Sequence, residues 1–141
     1  MKYLLALFLL FSFNFQVRAQ EEDREAMVRM SEDFGKCSAV FLIMASNSEG
    51  SGKEFSAKQD RQLANGAKVA SIYLARVAGR SHAQERADSI IDTETTMFMA
   101  LLENNAEKFL TEYKAKYDFC VSRLELQETV INMARKEVYE K

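Results

Sequence analysis

The chain contains two cysteines, Cys37 and Cys120, and each lies on an apolar stripe with helical spacing. Along both stripes the apolar side chains recur three and four residues apart, as in the seam of a helical bundle. A residue in such a seam faces the neighbouring helices. The pair therefore predicts a disulfide between the first and last helices of an all-α domain, which constrains fold class and topology together.

The first 19 residues have the three parts of a secretory signal. Lys2 supplies the basic start, an apolar run extends as far as Phe15, and Ala19 is the small residue before a predicted cleavage site. The run is shorter than the about 20 residues that a membrane-spanning helix needs, and an uncleaved anchor is the alternative. We therefore predict a signal peptide, residues 1–19, and one domain, residues 20–141. The mature chain has no predicted membrane span and is expected in a periplasm or outside the cell.

Charge and compartment limit the functional classes. Without Lys2 and Arg18, the 19 basic side chains become 17 against 21 acidic ones, a formal charge of −4. The basic residues are scattered among acids and form no basic face, which argues against a nucleic-acid partner. In an oxidising compartment two thiols tend to pair, and the chain has no Cys-x-x-Cys sequence typical of a redox or metal site.

Proline is absent and only five glycines occur, so the intrinsic preference is helical almost throughout. Four amphipathic helices with short connections predict an antiparallel four-helix bundle in which the disulfide joins the first helix to the fourth. The alternative is that the third and fourth helices are continuous through Asn104-Asn105. The predicted helices run from about Glu21 to Ala45, from Ser56 to a stop at Gly79, from a cap at Ser81 to Asn104, and along a seam from Leu110 to Val138.

One short motif and the single histidine invite comparison with known sites, and neither matches one. Gly50-Ser51-Gly52-Lys53 lacks the earlier glycine and the following serine or threonine of a phosphate-binding loop, so we interpret it as a turn. His82 is the only histidine, which leaves no second member for a histidine-based metal site. We predict no catalytic residue, no metal site and no cofactor; an enzyme based on Glu94 and His82 is a distant alternative.

Four polar or aromatic side chains are candidates for a ligand or polar site. Glu94 falls near the third seam and Gln127 on the fourth, where a carboxylate opposite an amide would form a small polar site, a general acid or base, or a register-setting layer. Tyr113 and Tyr117 fall on the same fourth seam, where they would line a cleft or pack their rings inside and keep the hydroxyls in water.

The methionines suggest a second possibility. Met27 and Met30 form a Met-x-x-Met step, and Met97 and Met99 lie close together in sequence. Thioethers are soft ligands for Cu(I), but methionine is also a common filler of irregular cores. The leading hypothesis is therefore a non-enzymatic binding or interaction protein with a protein partner of unknown identity. The alternative is a bundle that binds a small ligand or copper.

Overall fold

The computed structural model describes the backbone of residues 2–139 and the side chains of residues 20–138. The predicted signal peptide, residues 1–19, lies outside the residues whose side chains are described. Over residues 2–139 no strand occurs, and the prediction of an all-α fold is confirmed. In this described part, no helix has the length and apolar character needed to cross a membrane. The helices are α1 (Lys2–Gly50), α2 (Glu54–Val77), α3 (Ala83–Asn104), α4 (Ala106–Ser122) and α5 (Leu124–Tyr139).

The predicted fourth helix is divided in two at Arg123, so the described chain has five helices instead of four. The Ser122 hydroxyl donates a hydrogen bond of 2.6 Å to the carbonyl of Phe119, which a continuous helix would offer to the N–H of Arg123. That N–H bonds instead to the carbonyl of Cys120, at 3.1 Å. The break therefore coincides with a side-chain hydrogen bond to the carbonyl that the helix would otherwise use.

The first helix ends five residues beyond its predicted end. The stretch from Ser46 to Gly50 is rich in turn-forming residues, yet it stays helical because α2 holds it. Ser48 donates a hydrogen bond of 3.4 Å to Asp60, and Glu49 forms an ion pair of 2.5 Å with Arg61. Tertiary contacts therefore outweigh the local preference for a loop.

Three of the predicted helix ends differ in detail. Ser56 does not cap the second helix, because α2 begins two residues earlier, at Glu54. Ser81 does not cap the third, because α3 begins at Ala83 and the residue before it, His82, has a left-handed backbone with φ 54°. The boundary between the third and fourth helices is confirmed, although its cap is Asn105, which accepts a hydrogen bond of 2.9 Å from the N–H of Lys108. Gly79 ends α2 as predicted, and its φ of +74° is one that glycine adopts without strain.

Pairwise contacts give the directions of the helices. The bond from Ser48 to Asp60 and the bond of 2.8 Å from the Ser31 hydroxyl to the carbonyl of Ser71 make α1 and α2 antiparallel. By the same argument α3 runs parallel to α1 and α4 runs antiparallel to both, while α5 runs parallel to α2. These directions follow from the pairs Glu32–Arg86, Val40–Tyr113, Glu94–Lys116 and Tyr73–Glu137, together with the close approach of Gly35 to Ile90 and of Gly66 to Ile131.

The core confirms the disulfide and the seam of the first helix. Cys37 and Cys120 are bonded, with Cα atoms 5.4 Å apart, and both are almost fully buried. Phe34 and Phe41 flank Cys37 on the same stripe of α1 and are equally buried. The seam predicted for the fourth helix is only partly correct, because on α4 Leu110 is exposed and the neighbouring Phe109 takes the buried position.

Candidate ligand-binding groove

An apolar groove of about 1030 Å³ lies between the C-terminal end of α1, the part of α3 from Ile91 to Leu102 and the part of α4 from Phe109 to Tyr117. We call it the α3–α4 groove. Among its lining residues, Leu42, Met99, Leu102 and Leu110 are each 39–65% exposed, so apolar surface is left open to solvent along it. The lining also includes Ile91, Asp92, Thr95, Phe109, Tyr113, Lys114 and Tyr117.

The α4 side of the groove is a wall of stacked aromatic rings. Phe109, Tyr113 and Tyr117 are four residues apart, so all three rings project from one face of the helix. The ring centroids of the first two are 5.3 Å apart and those of the last two 6.4 Å apart, with planes inclined by 21° and 26°. Phe41 meets Tyr117 edge-on at 6.0 Å, and Phe98 meets Tyr113 edge-on at 5.7 Å. These contacts hold the wall against α1 and α3.

The hydroxyl of Tyr113 belongs to the bundle and not to the groove. It donates a hydrogen bond of 2.8 Å to the carbonyl of Val40 on α1. Burial, and to a lesser extent the neighbouring Tyr117 and the carboxylate of Asp60, raise the pKa of Tyr113. The side chain therefore stays a neutral donor over the physiological range, and the groove meets only its ring.

Two charged residues line the groove, and they differ in their partners. The ammonium of Lys114 is paired with the carboxylate of Asp118 at 2.6 Å, one turn along α4. Asp92, on α3, has no ion pair or hydrogen bond from its side chain within residues 20–138. The uncompensated charge of the lining is thus a single carboxylate.

The predicted pairing of Glu94 with Gln127 does not form. Glu94 is buried, and its Oε1 lies 3.2 Å from the Nζ of Lys116 but accepts no hydrogen bond of good geometry. Gln127 is also buried, and its Nε2 donates a bond of 3.3 Å to the carbonyl of Leu63 on α2. Each side chain therefore has a partner of its own. The reason is the break at Arg123, which places Gln127 on α5, beside α2.

The two methionine pairs named from the sequence do not come together, although Met44 lines the α3–α4 groove with Met99. Met27 and Met30 pack against the core cluster around Phe34. Met99 lines the α3–α4 groove, whereas Met97 lines a separate hollow of about 550 Å³ on another side of α3. Within the described residues no group of three or more His, Cys, Asp and Glu side chains is placed to hold a metal ion. The four thioethers thus have no common point at which to bind copper.

The sequence identified two residues of the groove, Tyr113 and Tyr117, and missed the others. Leu42 and Met99 fall beside the predicted seams and not on them. An off-seam apolar residue on an otherwise polar helix face is the signal that would have identified them, because such residues mark an apolar surface outside the core. No family model, curated protein or solved structure matches the chain.

Proposed function

We propose that this chain is an exported, non-enzymatic binding protein that holds a small apolar molecule in the α3–α4 groove. The groove carries the proposal, because its volume of about 1030 Å³ and its stacked aromatic wall suit a ligand better than they suit solvent. Small-molecule sites are typically apolar clefts of about 300–1,000 Å³ with a few polar groups. The α3–α4 groove has this composition.

Export is part of the proposal and has two supports. Among the residues whose side chains are described, 20–26 are exposed and Met27 is the first that is partly buried, so a mature chain that begins at Gln20 would keep every described contact. The buried bond between Cys37 and Cys120 suits an oxidising compartment. The mass of the chain recovered from its native host tests the cleavage.

We also count α4 and α5 as the two parts of a broken fourth helix in an antiparallel bundle.

The other candidate occupants are a protein partner and copper. An amphipathic helix from a partner would have to cover the exposed side chains of Met99 and Leu102. Copper is less well supported, because Met44 and Met99 line the groove without a cysteine or histidine among its other lining residues. We favour the small ligand, since the opening is concave and aromatic and because a cavity of this volume matches the size of a small molecule.

The test is binding of an uncharged apolar fluorescent dye, phenylnaphthylamine, to the purified mature chain. Substitution of Met99 by Trp places a larger ring in the groove and is expected to weaken dye binding by about tenfold, the equivalent of about 1.4 kcal/mol. Met97→Trp is the matched control, because Met97 is 45% exposed and Met99 46% exposed on the same helix, yet Met97 lies outside the groove. The control is expected to bind the dye as the parent chain does.

Two outcomes would overturn the proposal. One is the absence of saturable dye binding to the parent chain, and the other is equal dye affinity for the Met99→Trp and Met97→Trp variants. For the alternatives, a rise in melting temperature on addition of copper would favour metal binding. Retention of a defined protein by the parent chain and not by Met99→Trp would favour the partner.

A further inference from the structure

The charges around the α3–α4 groove select among apolar ligands. Two charged side chains line it, and the ammonium of Lys114 is already neutralised by Asp118 at 2.6 Å. The carboxylate of Asp92 has no cationic partner among residues 20–138. Asp92 is exposed, so water solvates its carboxylate. A ligand that enters the groove therefore meets one negative charge that no described protein cation pairs with, and a cationic group on the ligand would pair with it at the groove's edge.

The directions of the helices place this charge at one end of the groove. Helices α3 and α4 are antiparallel, since Glu94 lies beside Lys116 and the rings of Phe98 and Phe109 are 6.0 Å apart. Asp92 and Tyr117 therefore share one end. Leu102, Phe109 and Leu110 share the other. The ten residues from Asp92 to Leu102 correspond to about 15 Å of helix, which is the length of wall available to an apolar body.

We propose that the ligand of the α3–α4 groove is a cationic amphiphile, with an amine or quaternary ammonium group beside Asp92 and an apolar body along the aromatic wall. This inference rests on the proposed function, because it specifies the ligand of the same groove. The ring of Tyr117, at the same end, adds attraction for a cation over its face. Thr95, three residues from Asp92 on α3, lines the same side of the groove with a hydroxyl.

The experiment compares two amphiphiles of equal chain length, decyltrimethylammonium and decyl sulfate, each below its micelle concentration. Each is titrated against phenylnaphthylamine bound to the parent chain, and the concentration that displaces half of the dye is measured. We expect decyltrimethylammonium to displace the dye at a concentration about fivefold lower than decyl sulfate, which is the upper end of what one solvent-exposed charge contact contributes. Added salt is expected to reduce this preference.

Variants of Asp92 connect the preference to one carboxylate. Asp92→Asn is expected to reduce the preference to less than twofold, and Asp92→Glu to retain it. Glu103→Gln changes the net charge by the same amount from an exposed position on α3 that does not line the groove, so it serves as the matched control. Its preference is expected to equal that of the parent chain.

The outcomes separate the two proposals. If the parent chain binds the dye but both amphiphiles displace it equally, or decyl sulfate displaces it better, the cationic ligand is wrong and the apolar groove stands. Equal loss of the preference in Asp92→Asn and Glu103→Gln would assign it to net charge and would also refute the role of Asp92. If the parent chain binds no dye, the proposed function itself is wrong.

Discussion

The bond between Cys37 and Cys120 is expected to contribute a large part of the stability of the domain. It joins residues 83 positions apart, and the loop-closure entropy of a loop of this size corresponds to about 4.5 kcal/mol at room temperature. A domain of this length has a total free energy of unfolding of about 6–18 kcal/mol. Loss of the crosslink therefore removes between a quarter and three quarters of the total.

The perturbation is reduction of the disulfide, with the Cys37→Ala/Cys120→Ala double variant as a second route. Reduction leaves the sulfur atoms in the core and isolates the effect of the crosslink, whereas the double variant also leaves small voids, at a cost of about 1 kcal/mol more. Because the two cysteines are only 1% and 2% exposed, the reductant has to be added under unfolding conditions. The native chain is expected to resist it.

The assay is urea unfolding followed by far-ultraviolet circular dichroism, for the oxidised, reduced and doubly substituted chains. With a urea dependence of about 1–3 kcal/mol/M, a loss of about 4.5 kcal/mol lowers the midpoint by about 1.5–4.5 M. The dependence itself is expected to increase, since a denatured chain without the crosslink exposes more surface. Oxidised and reduced chains that unfold at the same midpoint would refute the loop-closure argument. A thiol assay on the denatured oxidised chain should find no free thiol.

Three further predictions concern single side chains. Tyr113→Phe removes the hydrogen bond to the carbonyl of Val40 and is expected to cost about 0.5–1.5 kcal/mol in the free energy of unfolding, measured in urea. Folding raises the pKa of Tyr113, so the stability that its neutral hydroxyl contributes is present below about pH 10 and is lost as the pH rises above that value. In alkaline denaturation the parent chain should therefore lose more stability than Tyr113→Phe. Gly66→Ala would place a Cβ 2.5 Å from the Nε2 of Gln127 and is expected to destabilise the fold by about 1–2 kcal/mol despite the higher helix propensity of alanine. Gly50→Ala is the control for Gly66→Ala, because a Cβ at residue 50 meets nothing within 4 Å, and it should leave stability unchanged or raise it slightly. If the cost of Gly66→Ala comes from a clash with the side-chain amide of Gln127, then adding Gln127→Ala should reduce that cost.

Much of the fold follows from periodic patterns in the sequence. The seam through Phe34, Cys37 and Phe41 predicts both a buried face of α1 and the position of the disulfide, because three- and four-residue spacing leaves a helix one apolar side. Gly79 predicts the end of α2 by its conformational freedom alone. Such features depend on residues close in sequence, which is why they are visible without the structure.

The features that the sequence did not predict depend on contacts between distant residues. The last turn of α1 survives its turn-forming composition because Ser48 and Glu49 bond to α2. At Arg123 the Ser122 hydroxyl bonds to the carbonyl that a continuous helix would offer to the backbone N–H, and the hydrophobic seam continues across the break without a sign of it. As a consequence, Gln127 faces α2 and the expected partnership with Glu94 is absent.

The disulfide and the groove are coupled through the packing of α4 on α1. Cys120 lies one turn from Tyr117, whose ring meets Phe41, and one further turn leads to Tyr113 and its bond to the carbonyl of Val40. The aromatic wall is therefore held in place beside a covalent link. A wall fixed before the ligand arrives saves the entropy of ordering it on binding.

This coupling predicts that the disulfide affects affinity as well as stability. In the Cys37→Ala/Cys120→Ala chain, measured where it remains fully folded, phenylnaphthylamine is expected to bind a few-fold more weakly, since α4 has to be ordered against α1 at a cost of about 1 kcal/mol. Val130→Ala is the matched control, because Val130 is buried in the core cluster around Phe34 and does not line the groove. It should lower stability and leave dye affinity unchanged. Equal affinities in the parent and the doubly substituted chain would show that the wall is rigid without the crosslink, and the role of the disulfide would then be confined to the stability of the fold.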